Sequence, residues 1–283
     1  MPVRRIVSAR RPETVKREQY HIASKIGDVA RYVLLPGDPD RVLKIVKYWD
    51  KAKEVARHRQ YLIYTGKYKG VPISTCSTGI GCPATAIAVE ELANIGAETF
   101  IRVGSTGAIQ ENIKCGDLVI STGAVRLEGT SKQYVPMEYP AVASYDVLLA
   151  LIQAAETLGY SYHVGITAST DSFYCGQGRP GFKGYWQSWM NKIIPDLRVA
   201  KVLNFEMEAS TLFTLANIFS LRAGCICAVF ANRITDEFRV TGEREAGLTA
   251  TEAVKILNEW DTERNKQGKK YWFPSLTHQK LIK

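Results

Sequence analysis

The chain has 283 residues, of which 46% are hydrophobic, with 22 Gly and 11 Pro and a formal net charge of +9. That is enough apolar material for one large buried core. No apolar run approaches the ~18 to 20 residues that cross a bilayer, and no apolar stretch of a secretory signal follows the basic start, so a soluble cytoplasmic protein without membrane attachment is expected.

The elements follow in chain order. A basic stretch, RRIVSARRPETVKR (4 to 17), reads as part of a solvated N-terminal extension over about residues 1 to 19. Short apolar or β-branched runs ending in small and turn-forming residues then mark core strands at ARYVLLPG (30 to 37) and VPISTCSTG (71 to 79). Pro83 sits where a first helical turn tolerates it, and the helix through Ile87, Glu91 and Leu92 ends at Gly96. Further strands are expected at AETFIRVGSTG (97 to 107) and GDLVISTGAV (116 to 125). Ser144 is a candidate cap for a helix through Leu148, Leu151 and Ile152 that stops at Gly159. YHVGITAST (162 to 170) and AGCICAVFAN (223 to 232) are strands, and TLFTLANIF (211 to 219) is an apolar helix between them. Thr249 with Glu252 makes a capping-box pattern ahead of Val254, Ile256 and Leu257. RNKQGKKYW (264 to 272) opens a second basic extension, over about 264 to 283.

Near-continuous apolar strands flanked by amphipathic helices imply an α/β fold with a mixed, mostly parallel sheet covered on both faces. No repeat or linker divides it, so residues 1 to 283 read as a single domain. The six cysteines, Cys76, Cys82, Cys115, Cys175, Cys225 and Cys227, lack CxxC pairs and clustered His partners. Buried, reduced thiols are expected rather than a zinc site or a disulfide framework. Cys225 and Cys227 share a strand face and read as packing. Because the charge excess gathers at the two ends, it points to no nucleic-acid site.

Ligands of such sheets gather beyond the strand ends. LPGDPDR (35 to 41) places Gly37 where backbone amides can approach an anion, with Arg41 four residues on. RVGSTG (102 to 107) adds Arg102 and two hydroxyls, and two such loops could clamp one tetrahedral anion. Each, taken alone, is equally a turn carrying a surface arginine. Neither fits a nucleotide triphosphate or dinucleotide loop. In NFEMEAS (204 to 210), Glu208 could accept hydrogen bonds from a ribose diol while Met207 covers the sugar face. Compensation of a helix dipole accounts equally well for one of the acids, Glu206 or Glu208. DSFYCGQGR (171 to 179) offers Phe173 to stack on a heterocycle and Gln177 and Arg179 to read its edge. His21, between Tyr and Ile, reads on its own as a structural histidine.

Together these segments, with HRQY (58 to 61), STGIGCPATAIAVEEL (77 to 92), RVGSTGAIQ (102 to 110), GDLVISTGAVRL (116 to 127), TASTDSFYCGQGR (167 to 179) and NR (232 to 233), resemble the nucleoside phosphorylase-I family, and within it the uridine phosphorylase branch. The resemblance implies a three-layer α/β sandwich, assembled as a homohexamer (a trimer of dimers) with active sites shared between subunits. It implies phosphate binding by Gly37, Arg41, Arg102 and Ser105, joined by Arg59 of the adjacent subunit. Ribose would be held by Glu208, Met207 and Thr106, with His21 from the neighbour at the 5′-hydroxyl. Phe173, Gln177, Arg179 and Arg233 would hold uracil.

The implied reaction is phosphorolysis of uridine to uracil and ribose 1-phosphate, with inorganic phosphate as co-substrate, no metal and no organic cofactor. Arg102, Glu208, Arg179 and Gln177 would be its catalytic groups, and pyrimidine salvage its setting. Gln60 and Ala84 stand where some members place a Glu and a Ser around potassium, which counts against a potassium site. The alternatives are a purine or methylthioadenosine phosphorylase of the same fold, or a non-catalytic nucleoside-binding or nucleic-acid-binding protein. Arg233, where purine members place an Asp, favours a pyrimidine. The aromatic stretch GFKGYWQSWMNKIIPDL (181 to 197) matches the family poorly.

Overall fold

The computed structural model describes residues 6 to 276. The chain runs β1 (Tyr32–Pro36), α1 (Pro39–Val46), β2 (Lys51–His58), β3 (Tyr61–Tyr68), β4 (Val71–Cys76), α2 (Cys82–Asn94), β5 (Thr99–Ala108), β6 (Leu118–Leu127), β7 (Ala141–Val142), α3 (Tyr145–Leu158), β8 (Tyr162–Thr170), α4 (Met190–Val199), β9 (Val202–Glu206), α5 (Ala209–Ile218), β10 (Arg222–Asn232), β11 (Glu237–Phe238) and α6 (Glu243–Lys266). All six strands expected from the sequence form.

The strands share one mixed sheet. β4, β1, β5 and β10 make a parallel block, and β6, β8 and β9 make another. Antiparallel pairings of β10 with β6 and of β5 with β9 join the blocks, so β5, β9, β8, β6 and β10 close on themselves as a small barrel. Strand alternation sorts side chains to two sides. Tyr32 and Leu34 of β1 join the core beneath α3 and α6, while Val33 and Leu35 join the core beneath α2 and α5. Helices on both faces of the sheet are the three layers. Cys225 and Cys227 face α2 and α5 together, buried, with Sγ atoms 3.7 Å apart, and all six cysteines are free.

Local signals hold at most helix ends. Pro83 occupies the first turn of α2, and Gly96 just beyond that helix has φ +106°. Gly159 ends α3 in the left-handed region at φ +70°, which a side chain would strain. Ser144 stands at the N-cap of α3, but its hydroxyl accepts the Ala223 N–H instead of capping the helix.

Three expectations need correction. The capping box at Thr249 does not start a helix: α6 begins six residues earlier, Thr249 Oγ1 donates to the Glu245 carbonyl, and Glu252 accepts from Tyr68 and Lys69. The terminal extensions are not simply solvated tails, although residues 1 to 5 and 277 to 283 lie outside the described residues. Thr14 and Gln19 are buried, and Ile6–Thr14 and Glu13–Gln19 bridges fold residues 6 to 19 back on themselves. At the other end Trp272 stacks on Trp260 at 3.7 Å and Leu276 is buried in the core, while Lys269, Lys270 and Tyr271 before Trp272, and Phe273, Pro274 and Ser275 after it, are exposed. Among the described residues no helix is long and apolar enough to cross a membrane.

Candidate active site

The expected residues converge on β5, which borders β1 on one side and meets β9 near its end. The register sets Leu35 beside Arg102 and Pro36 beside Val103, so the turn after β1 opens next to the Arg102 segment. Gly37 there exchanges backbone contacts with the loop after β4: Gly79 donates its N–H to the Gly37 carbonyl at 2.9 Å. Arg41, nearly buried in α1, donates Nη1–H to the Val103 carbonyl at 3.2 Å and holds Glu243 through Nε and Nη2. The two arginine-bearing loops are therefore joined into one basic corner. Gly104 is required there, because a Cβ on it would lie 2.8 Å from Arg102 Nη2 and 2.7 Å from Cys227 Sγ. Ser105, half-buried on the same strand, has a hydroxyl with no partner among the described residues.

Arg102 is buried between two carboxylates. Its Nε donates to Glu206 at 2.7 Å, and its Nη2 pairs with Glu208. Burial opposes its charge, but Glu208 and Glu206 push its pKa well above the ordinary value, so it stays a cation. The two acids then divide their work. Glu206 accepts the N–H groups of Glu208 and Ala209 at the start of α5 and the Ser169 hydroxyl, which makes it the helix-dipole partner. Glu208 reaches across to the N–H of Gly81 ahead of α2, at 2.5 Å, and so lies between the starts of two helices. Burial pushes its carboxyl pKa up, while Arg102 works in the opposite sense. Met207 is half-exposed between the two acids. The Thr106 hydroxyl is engaged on both sides, donating to the Phe205 carbonyl at 2.5 Å and accepting from Asn204 at 2.6 Å.

A second wall of the candidate site forms where β5 ends. Buried Gln177 donates to Thr170 Oγ1 and accepts from Arg179 Nη1 at 2.6 Å. Arg179 also donates to the Phe173 carbonyl and covers the exposed Phe173 ring, 4.0 Å from its centroid. Arg233, fixed by the Gln177 and Gly178 carbonyls at 2.9 and 3.1 Å, lies beside it: a Cβ on Gly107 would meet both arginines within 3.8 Å. Neither guanidinium has a carboxylate in salt-bridge contact among the described residues. Burial, and then the Arg233 charge, push Arg179 down to about 10. Asn232 takes no part in this wall, since its amide pins the Gln110 and Ile113 carbonyls and the N–H groups of Ile234 and Thr235.

Among the described residues, the side chains of His21 and Arg59 contact none of these groups. His21 donates Nδ1–H to buried Glu91 at 2.6 Å. Glu91 lies nine residues along α2 from Cys82, or about 14 Å from the end that meets Glu208. Arg59, exposed with φ +54°, lies over the Tyr20 ring, and His58 donates to the His21 carbonyl. Tyr20, His21, His58 and Arg59 thus form a cluster of their own contacts, while Gln60 beside them packs against Gly79. Sequence patterns missed Glu243, Ser169 and the Gly81 N–H; only the glycines of the loop after β4 hinted at the last.

The model of the phosphorylase superfamily matches residues 31 to 259, and the chain belongs to that superfamily. A uridine phosphorylase of Thermococcus kodakarensis is 67% identical over 274 residues, covering 97% of this chain and 99% of its own. A uridine phosphorylase of Klebsiella aerogenes is 41% identical, covering 86% of this chain and 97% of its own. A guanosine phosphorylase of Halorubrum lacusprofundi is 43% identical, covering 77% and 85%.

Proposed function

We infer that the chain is a pentosyltransferase that cleaves uridine with inorganic phosphate, giving uracil and ribose 1-phosphate. The observation that carries this reading is the pair Arg179 and Arg233, side by side with no carboxylate in salt-bridge contact among the described residues, because a leaving uracil carries negative charge on its carbonyl oxygens. The 67% identity to a uridine phosphorylase over nearly both whole chains supports it.

In the proposed mechanism phosphate sits in the basic corner of Gly37, Arg41, Arg102 and Ser105, below the sugar. As the C1′–N1 bond breaks, its electron pair leaves with uracil, and a phosphate oxygen forms the new bond to an oxocarbenium-like C1′. Glu208 holds the ribose diol, with Met207 and Thr106 beside the sugar. Gln177 and Arg179 stabilise the departing base, which Phe173 stacks on and Arg233 helps to enclose. Every group needed is supplied by this chain's side chains and backbone or by the phosphate itself, so no metal or organic cofactor has a step to perform.

The side chains of His21 and Arg59 contact none of the site residues among the described residues of their own subunit, which supports their serving the site of a neighbour within a homohexamer built as a trimer of dimers. Six free thiols suit the reducing cytoplasm, and the products suit pyrimidine salvage.

The 43% identical guanosine phosphorylase keeps a purine reading in view. Release of free base from uridine, cytidine, inosine, guanosine and adenosine, each with and without phosphate, separates the two. Phosphate-dependent cleavage with uridine fastest is the expected result; a purine nucleoside as preferred substrate would overturn the uridine assignment.

A further inference from the structure

Arg41 carries five N–H donors, and three of its contacts are already fixed within the protein. Nε and Nη2 both reach Oε1 of Glu243, at 3.1 and 2.9 Å, and Nη1 reaches the Val103 carbonyl at 3.2 Å. One N–H on each terminal nitrogen is left over. Glu243 is itself held: its Oε2 accepts Lys44 Nζ at 2.7 Å, and Arg41 and Lys44 lie one turn apart on α1. The carboxylate, mostly buried at the first residue of α6, therefore bridges two cations and ties the start of α6 to α1. A guanidinium gripped along its Nε side has only the remaining N–H on each terminal nitrogen to offer a ligand.

We propose that Glu243 is a positioning residue for phosphate, acting through Arg41: it clamps the Nε edge so that the terminal nitrogens meet the anion already oriented. This rests on the reading of Arg41 as a phosphate contact. The clamp also sets a negative charge near the anion, and the two effects predict opposite outcomes. If orientation dominates, loss of Glu243 weakens phosphate binding; if repulsion dominates, the same loss tightens it. The inference commits to orientation, because Lys44 neutralises the charge of Glu243 on its far side.

The test is steady-state kinetics with each substrate varied in turn. Glu243→Ala should raise the KM for phosphate about tenfold, with the KM for uridine and the kcat at saturating phosphate within about twofold of the starting enzyme. Glu243→Asp keeps the charge at the start of α6 but shortens the arm, so it should raise the phosphate KM similarly; it also serves if the alanine variant folds poorly. Glu243→Gln keeps an acceptor for Arg41 and should recover most of the affinity. Combining Glu243→Ala with Arg41→Ala should add nothing to Arg41→Ala alone. An unchanged or lowered phosphate KM in both the Ala and Asp variants, equal rises for both substrates, or additive effects in the double variant would overturn the inference. If Arg41→Ala alone leaves the phosphate KM unchanged, the phosphate role of Arg41 falls, and the inference with it. If Arg41→Ala raises it and Glu243→Ala does not, only the role of Glu243 falls.

Discussion

The two ends of β10 treat arginine in opposite ways. At its start, Arg222 is enclosed by Asp146 and Asp261 at 2.9 and 2.7 Å, and Tyr32 donates to the same Asp261. Burial there opposes the charge, but the hydrogen bond and charge of Asp261, with Asp146, lift the Arg222 pKa above its ordinary value. Just past its other end, Arg233 lies against Arg179 with backbone carbonyls for partners, and both arginines are pushed down, chiefly by burial. One end is a finished network that serves the fold. The other leaves its charge balance open, as a site for an anion must. Arg102 lies between these extremes, saturated by two acids yet in the middle of the candidate site.

The largest expected effect comes from that intermediate case. Arg102→Ala leaves Glu206 and Glu208 buried without their cation, which should cost ~3–5 kcal/mol of stability. In whatever folds, the KM for phosphate should rise and kcat fall, by ~2–4 kcal/mol in transition-state terms. Denaturant unfolding and phosphate-varied kinetics measure the two. A folded variant with unchanged phosphate dependence would remove Arg102 from the anion site and leave it a structural cation like Arg222.

Next is the saturated end. Arg222→Met removes the cation of buried Asp146 and the nearest cation of Asp261, which Arg31 and Arg264 still reach, and should destabilise by ~3 kcal/mol, while kcat/KM per folded enzyme stays within about twofold. A large kinetic effect without a loss of stability would contradict the division drawn between the two ends. The open end should respond the other way: Arg179→Met should lower kcat/KM for uridine by ~100-fold, as removal of one donor aimed at developing charge does elsewhere. Its phosphate KM should move little. Equal losses for both substrates would mean that Arg179 shapes the loop from 171 to 179 rather than meeting the base.

How much of this could be read in the sequence depends on how local each cause is. The Gly37, Arg102 and Gln177 segments were legible because strand ends with small residues, an arginine and hydroxyls lie contiguously in the chain. Pairings between distant residues were not: Glu243 meets Arg41 across 202 positions, and nothing around Glu243 marks it apart from a helix start. The charged run of β2 shows no apolar alternation, since its outer half is exposed, and it becomes a strand only by pairing with β3. Thr249 and Glu252 satisfy a cap pattern that tertiary structure overrides, because Gly242, at φ +82°, already turns the chain into α6. Trp272 and Leu276 sit in a basic stretch whose composition says tail, yet stacking on Trp260 brings them into the core.

The smallest effect is the most specific to the contrast between the ends of β10. An arginine pushed down to about 10 binds its proton less tightly in the folded chain than in the unfolded one. For such a base the folded state carries a penalty at every pH below about 10, and the penalty is relieved as pH rises from there toward the ordinary arginine value. One outcome follows. At pH 7 without ligands, Arg179→Met should be slightly more stable than the starting enzyme, by about 0.5–1 kcal/mol because solvent screens a half-exposed group, or ~2–4 °C in thermal midpoint. Arg222, lifted rather than lowered, carries no such penalty. Thermal melts of both enzymes at pH 7 give the reading. A destabilised Arg179→Met would mean that the open end of β10 is as fully compensated as the closed one.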